Sequence, residues 1–128
     1  MTTRTTTTTA MGGELLTNRR RRYVLYCLQR CQGSVPLADI ADQITVWESG
    51  CRGENRPKLR LQIYNSLYHE HMPVLREANI VDYEQEGDLV RFGHDGSQVR
   101  AEIQRAYQDE VVDLLAAECR AFERGEQA

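Results

Sequence analysis

The sequence predicts a mainly α-helical domain with a small β-hairpin, an α+β fold with one added helix at its C-terminal end. Three observations predict it. Apolar residues recur at helical spacing in three segments between residues 19 and 78. The period then switches to alternation over residues 80–92, and helical spacing returns from Val99 to Phe122. A chain of 128 residues, 41% hydrophobic and 27% charged, is long enough to build one core plus an appendage.

Met1–Gly13 is a threonine run closed by Gly12-Gly13 and reads as a disordered leader. It lacks the apolar stretch of a secretory signal, and no segment approaches a membrane span, so a cytoplasmic address is expected. A domain is expected over 14–95 and a separate helical element over 96–128. Thr17 or Asn18 can cap the first helix, 19–31, whose apolar positions are Tyr23/Val24, Cys27/Leu28 and Cys31, with Gly33 closing it. Ser34-Val35-Pro36 is a short extended piece. A second helix follows from Leu37 to Glu48 with the stripe Leu37, Ile40, Ala41, Ile44 and Trp47. After a polar turn over 49–55, Pro57 suits the first turn of a third helix running to Ala78. The buried stripe expected there is Leu61, Tyr64, Tyr68, Met72 and Leu75, with Leu67 beside it, and Pro73 should kink or restart the helix.

Ile80–Glu84 and Leu89–Phe92 alternate as strands joined by Gln85-Glu86-Gly87-Asp88, a hairpin turn. Ser97 can cap the last helix, in which Val99, Ile103, Tyr107, Val111, Leu114 and Phe122 form one apolar face. The resulting order is helix, short strand, helix, helix, hairpin, helix. That is the connectivity of a winged helix-turn-helix domain, with the hairpin as the wing.

Charge is unevenly placed. Residues 1–80 hold 11 Arg and Lys against 7 Asp and Glu, while residues 81–128 hold 5 against 12, so a net of −3 conceals a basic first part and an acidic second. Of the sixteen cations only Lys58 is lysine. Four cysteines, at 27, 31, 51 and 119, read as reduced thiols, buried or half-buried.

The segment Ser66-Leu67-Tyr68-His69-Glu70-His71-Met72-Pro73-Val74-Leu75 carries the most specific pattern. With Arg19–Arg22 and Leu37-Ala38-Asp39-Ile40-Ala41, it resembles a haloarchaeal family of winged-helix domains of unassigned function, over about residues 15–93. In that family's pattern, Met72 stands where leucine is usual. In many winged-helix regulators glycine stands where this chain has Asn79, a residue that tolerates the left-handed conformation required at a helix end. The resemblance implies a DNA-binding or transcription-associated role.

If the third helix enters the major groove, its outward residues do the reading. Lys58, Arg60, Gln62, Asn65, Ser66 and His69 are the outward set, and arginine and amide side chains suit guanine and adenine edges. Arg19, Arg20 and Arg22 start the first helix and either clamp phosphates or form a solvated charged face that meets the acidic tail. Arg52 and Arg56 are phosphate candidates. The acidic tip Glu84–Asp88 counts against wing contact with DNA. His69 and His71, two residues apart, fall on different sides of a helix, so no metal site is expected. No nucleophile–base motif or glycine-rich phosphate loop appears, and neither catalysis nor a cofactor is expected.

The expected function is a sequence-specific transcription regulator binding double-stranded DNA as a homodimer. Pairing is expected through Val99, Ile103, Tyr107, Val111, Leu114 and Phe122, although that face can instead fold back on its own domain. Transcription machinery is a further possible partner, and no membrane contact is expected. The alternative is a winged-helix protein-interaction module, favoured by the acidic wing and tail. A thiol-based sensor would require Cys27 and Cys31 to be accessible.

Overall fold

The computed structural model describes residues 15–127, of which 124–127 are described by backbone alone, so the leader expected over 1–13 lies outside the described residues. Helix α1 spans Arg19–Arg30 and begins where the Asn18 side chain accepts from the backbone N–H groups of Arg20 and Arg21, at 3.0 and 3.2 Å. That cap satisfies two donors the helix cannot satisfy itself. Tyr23 through Leu28 are all buried, so α1 is the central element of the core.

Strand β1, Val35–Pro36, leads into α2, Leu37–Ser49, whose buried residues include the expected Leu37, Ile40, Ala41, Ile44 and Trp47. Gly50 ends α2 at φ 69°, a conformation that favours glycine, and its N–H bonds to the Val46 carbonyl at 2.7 Å. A short 3-10 turn, Gly53–Asn55, precedes α3, Pro57–Ser66, with proline in its first turn.

The expected break at Pro73 takes the form of a wide π-turn over Leu67–His71, after which α4 runs Met72–Glu77. The Met72 N–H bonds to the Leu67 carbonyl, five residues back. The proline has no N–H and its ring crowds the carbonyl four residues earlier, so a locally widened helix accommodates both demands. Helix α4 closes through a left-handed Asn79 at φ 61°. The Ile80 N–H reaches the Leu75 carbonyl at 3.0 Å and the Asn79 N–H the Arg76 carbonyl at 2.9 Å. This Schellman arrangement accounts for asparagine at that position.

Strands β2, Val81–Glu84, and β3, Leu89–Phe92, pair antiparallel with Val81 opposite Phe92 and Glu84 opposite Leu89. β1 adds to the other edge of β3, Val35 opposite Val90, so the expected two-stranded hairpin is a three-stranded sheet in the order β1-β3-β2. The left-handed residue of the hairpin turn is Asp88, φ 55°.

The last helix, α5, spans Arg100–Gln127 after a 3-10 turn over Gly96–Val99. It packs along α1 and α2. This corrects the expected pairing face. Val99, Ile103 and Leu114 are buried within the same chain, Tyr107 is half-buried edge-on to Tyr26 with ring centroids 5.2 Å apart, and Val111 is half-buried. Only Phe122 of that set stays exposed, at 57%. The physical reason is that α1 and α2 leave an apolar flank, lined by Tyr26 and Trp47, that the helix covers. No helix among the described residues is long and apolar enough to cross a membrane.

Candidate nucleic-acid interface

Two classes of arginine emerge once the chain is folded. Arg20 grips Glu48 of α2 with two bonds, Nε to Oε2 at 2.8 Å and Nη2 to Oε1 at 3.0 Å, and the Glu48 side chain is only 7% exposed. Arg22 grips Glu110 of α5 in the same bidentate way, at 2.8 and 3.2 Å, and donates to the Leu16 and Thr17 carbonyls as well. Tyr26 donates its hydroxyl to the same Glu110 carboxylate at 2.7 Å. Burial works to raise the Glu110 pKa, but the hydrogen bonds from Arg22 and Tyr26 outweigh it and hold the carboxyl below its ordinary range. These two arginines therefore fasten α1 to α2 and α5. Arg19 keeps 58% of its side chain exposed, with a 3.9 Å approach to Glu48.

Arg60 belongs with the paired group. It lies on the side of α3 that faces α2, where its Nε donates to Asp42. Two residues on, Gln62 lies across the helix from it, as the helical repeat of about 100° per residue requires. Arg60 is therefore corrected in position only, off the face of Gln62 and onto the α2–α3 junction, where it and Asp42 keep 42% and 48% of their side chains exposed.

The exposed face of α3 is formed by Lys58, Leu61, Gln62 and Asn65, continued into the π-turn by His69. Ser66 is half-buried at its margin. Lys58, Gln62 and Asn65 make no side-chain hydrogen bond or ion pair to other described residues, whereas His69 rests edge-on against Tyr68, ring centroids 4.9 Å apart. Arg56 is exposed beside Lys58 and Gln62 at the start of α3. Arg52 is exposed with a loose 3.8 Å approach to Glu54. The Arg56 side chain does not cap the start of α3, and Pro57 in its first turn has no N–H that needs a partner.

Leu61 is the residue that sequence reasoning placed wrongly. It is 59% exposed, while Ile63 and Leu67 are fully buried in its stead. Leu61 is thus an exposed apolar side chain set among the polar side chains of Lys58, Gln62 and Asn65.

The hairpin is fastened to α3. Tyr64 donates to Asp88 Oδ2 at 2.8 Å, Tyr83 donates to Asp88 Oδ1, and the Asp88 carbonyl accepts from the Leu37 N–H at 2.8 Å. Partial burial, and then the hydrogen bond to Asp88, raises the pKa of both tyrosines. Tyr64 and Tyr68 stack with their planes 5° apart. Asp88 is thus committed to structure, and Glu84 and Glu86 are the exposed acids of the turn.

Residues 13–91, well over half the chain, match the family model of a domain of unknown function, DUF7344. The chain belongs to the DUF7344 family. The family match ends within β3, so α3 and its exposed face lie inside it and α5 lies beyond it. Neither curated proteins nor solved structures give a match.

Cys27 and Cys51 are buried and Cys31 and Cys119 exposed, so only half of the thiols follow the expected burial. Burial pushes the Cys27 thiol up to about 12, which disfavours the thiolate a Cys27–Cys31 sensor would need. His71 is buried in the π-turn, its Nδ1 without a hydrogen-bond partner among the described residues. Burial, and then the charge of Arg21, lowers its pKa against the opposing charge of Glu70. No cluster of metal-ligating side chains forms among the described residues.

Proposed function

We propose that this chain is a winged-helix transcription regulator that binds double-stranded DNA through α3, acting as a cytoplasmic homodimer by binding and not by catalysis. The observation that carries the proposal is the division of polar side chains. Arg20, Arg22 and Arg60 are engaged by Glu48, Glu110 and Asp42, while Lys58, Gln62 and Asn65 stand exposed on one face with no side-chain partner among the described residues. Holding such groups unpaired on a helix that is rigidly fastened to α2 and to the hairpin suits a surface that makes its hydrogen bonds elsewhere.

In this reading Gln62 and Asn65 make bidentate contacts to adenine edges and Leu61 packs on a thymine methyl. Lys58, Arg56, Arg52 and Arg19 neutralise phosphates, with His69 and Ser66 at the margin. The hairpin tip holds the helix rather than entering a groove, because Glu84 and Glu86 would meet phosphate with like charge. The resemblance to haloarchaeal winged-helix domains supports the same reading, and the transcription machinery is a further partner it allows.

The alternative, a protein-interaction module, draws on the exposed Leu61 and the acidic turn. A fluorescence-anisotropy titration with DNA from the chain's own promoter and with scrambled DNA, over a salt series, decides between them. The DNA reading expects selective, salt-sensitive binding that the triple variant Lys58→Ala, Gln62→Ala, Asn65→Ala abolishes. Equal weak binding to both DNAs, untouched by the triple variant, would establish the alternative.

A further inference from the structure

Helix α5 buries one face and leaves a second apolar stripe on its outer side. Val112 is 76% exposed, Leu115 50% and Phe122 57%, and these are three of the five large hydrophobic side chains exposed among the described residues. The exposed Cys119 completes the series. The spacing 112, 115, 119, 122 alternates three and four residues, the seam of two consecutive heptads. The inner face follows a different set, Ile103, Leu114, Ala117 and Ala121. One helix therefore carries two apolar seams, and only the inner one is covered by its own domain.

We propose that the outer seam of α5 is the surface on which a second copy of this chain docks, helix against helix across a two-fold axis. It deepens the two-copy part of the preceding reading and rests on that part alone, not on DNA contact. A seam at this spacing is complemented by a helix carrying the same spacing, and α5 supplies it. The charge pattern permits self-association. Glu102, Asp109, Glu110, Asp113, Glu118 and Glu123 make α5 acidic, yet none interrupts the stripe from Val112 to Phe122, and Glu110 and Glu118 are turned to their own domain by Arg22, Tyr26 and Trp47.

The area is consistent with a pair. The three large side chains offer on the order of 300 Å² of exposed apolar surface per copy, by their size and exposure. Doubled, and widened by Cys119, Ala116 and Gln108 alongside, the pair approaches the roughly 1,000 Å² at which specific interfaces begin. The dimer is thus a modest one, dissociating at micromolar concentrations.

Sedimentation of the full chain under reducing conditions, from about 1 to about 100 μM, tests this. The wild type is expected to move from one chain mass to two. Leu115→Glu and Phe122→Glu are each expected to raise the dissociation constant by at least about tenfold with unchanged circular dichroism, because both positions are exposed in the single chain. If a glutamate variant loses its helical signal, Leu115→Ser carries the same test. Labelling of Cys119 provides a second readout: its rate should fall as wild-type concentration rises and stay constant in the Leu115 variant. A wild type that remains monomeric at the top concentration, or a dimer indifferent to both substitutions, overturns the proposal. Promoter DNA titrated into the same samples separates the two ideas. A monomer that binds DNA overturns the seam and keeps the DNA reading, whereas a seam-dependent dimer without DNA affinity supports the seam and removes the DNA reading.

Discussion

Replacing Glu110 with glutamine should remove the anchor that fixes α5 to the core. Three donor groups converge on that carboxylate: Arg22 Nε at 2.8 Å, Arg22 Nη2 at 3.2 Å and the Tyr26 hydroxyl at 2.7 Å. Glutamine offers one acceptor and turns an amide donor toward the guanidinium, so Arg22 keeps its charge in a site where only 20% of its side chain is exposed. A hydrogen bond to a charged group is worth about 1.5–3 kcal/mol, and discounting for water reaching the partly open pair leaves a loss of about 2 kcal/mol. At this chain length that lowers the melting temperature by roughly 8 °C. Urea unfolding followed by circular dichroism at neutral pH measures it, with Arg22→Ala and the double variant completing a cycle. The cycle should give a coupling of about 1 kcal/mol or more. Because the Glu110 pKa is depressed on folding, its contribution is full above the ordinary carboxylate range and is lost as pH falls through the folded value. Acid unfolding should therefore be shallower in Glu110→Gln. Single losses below about 0.5 kcal/mol that simply add would refute the anchoring role and leave Arg22 available for the proposed phosphate contacts.

Other consequences are as direct. The His71 pKa is lowered on folding, so stability should be full above the ordinary imidazole value of about 6.5 and fall as pH drops below it. His71→Gln should flatten that slope in urea midpoints taken between about pH 7.5 and 5.5. Asn79→Ala should cost about 1 kcal/mol at its φ of 61° while Asn79→Gly is near neutral, as thermal denaturation would register. A thiol reagent should label Cys31, and Cys119 in dilute single chains, quickly without unfolding, and reach Cys27 and Cys51 only on unfolding.

Much of the fold was legible because local signals agreed with tertiary demand. Asn18, Gly50, Pro57 and Asn79 each sit where their backbone preferences place them, and Leu89–Phe92 is the strand its alternation predicts. Pairing of β1 with β3 was not legible, since a two-residue strand has no period to detect. On α3 the stripe through Leu61 and the stripe through Ile63 and Leu67 both read as apolar, and the π-turn shifts the helical phase before Met72, so spacing alone selected the wrong face. On α5 two seams share one helix, and counting from Val99 to Phe122 merged them. Arg20 and Arg60 looked like free cations because their acidic partners lie 28 and 18 residues away, whereas the pairing of Arg22 with Glu110, 88 residues on, follows the expected alternative of a face that meets the acidic tail. A single sequence shows charge but not the partner that consumes it.

Amide chemical-shift mapping on titration with promoter DNA shows which residues meet the duplex. The largest shifts are expected at residues 56–69, with smaller ones at 19 and 52 and little change at the hairpin tip or along α5. Shifts concentrated at residues 84–88, or the absence of any saturable change at 56–69, would contradict DNA binding through α3.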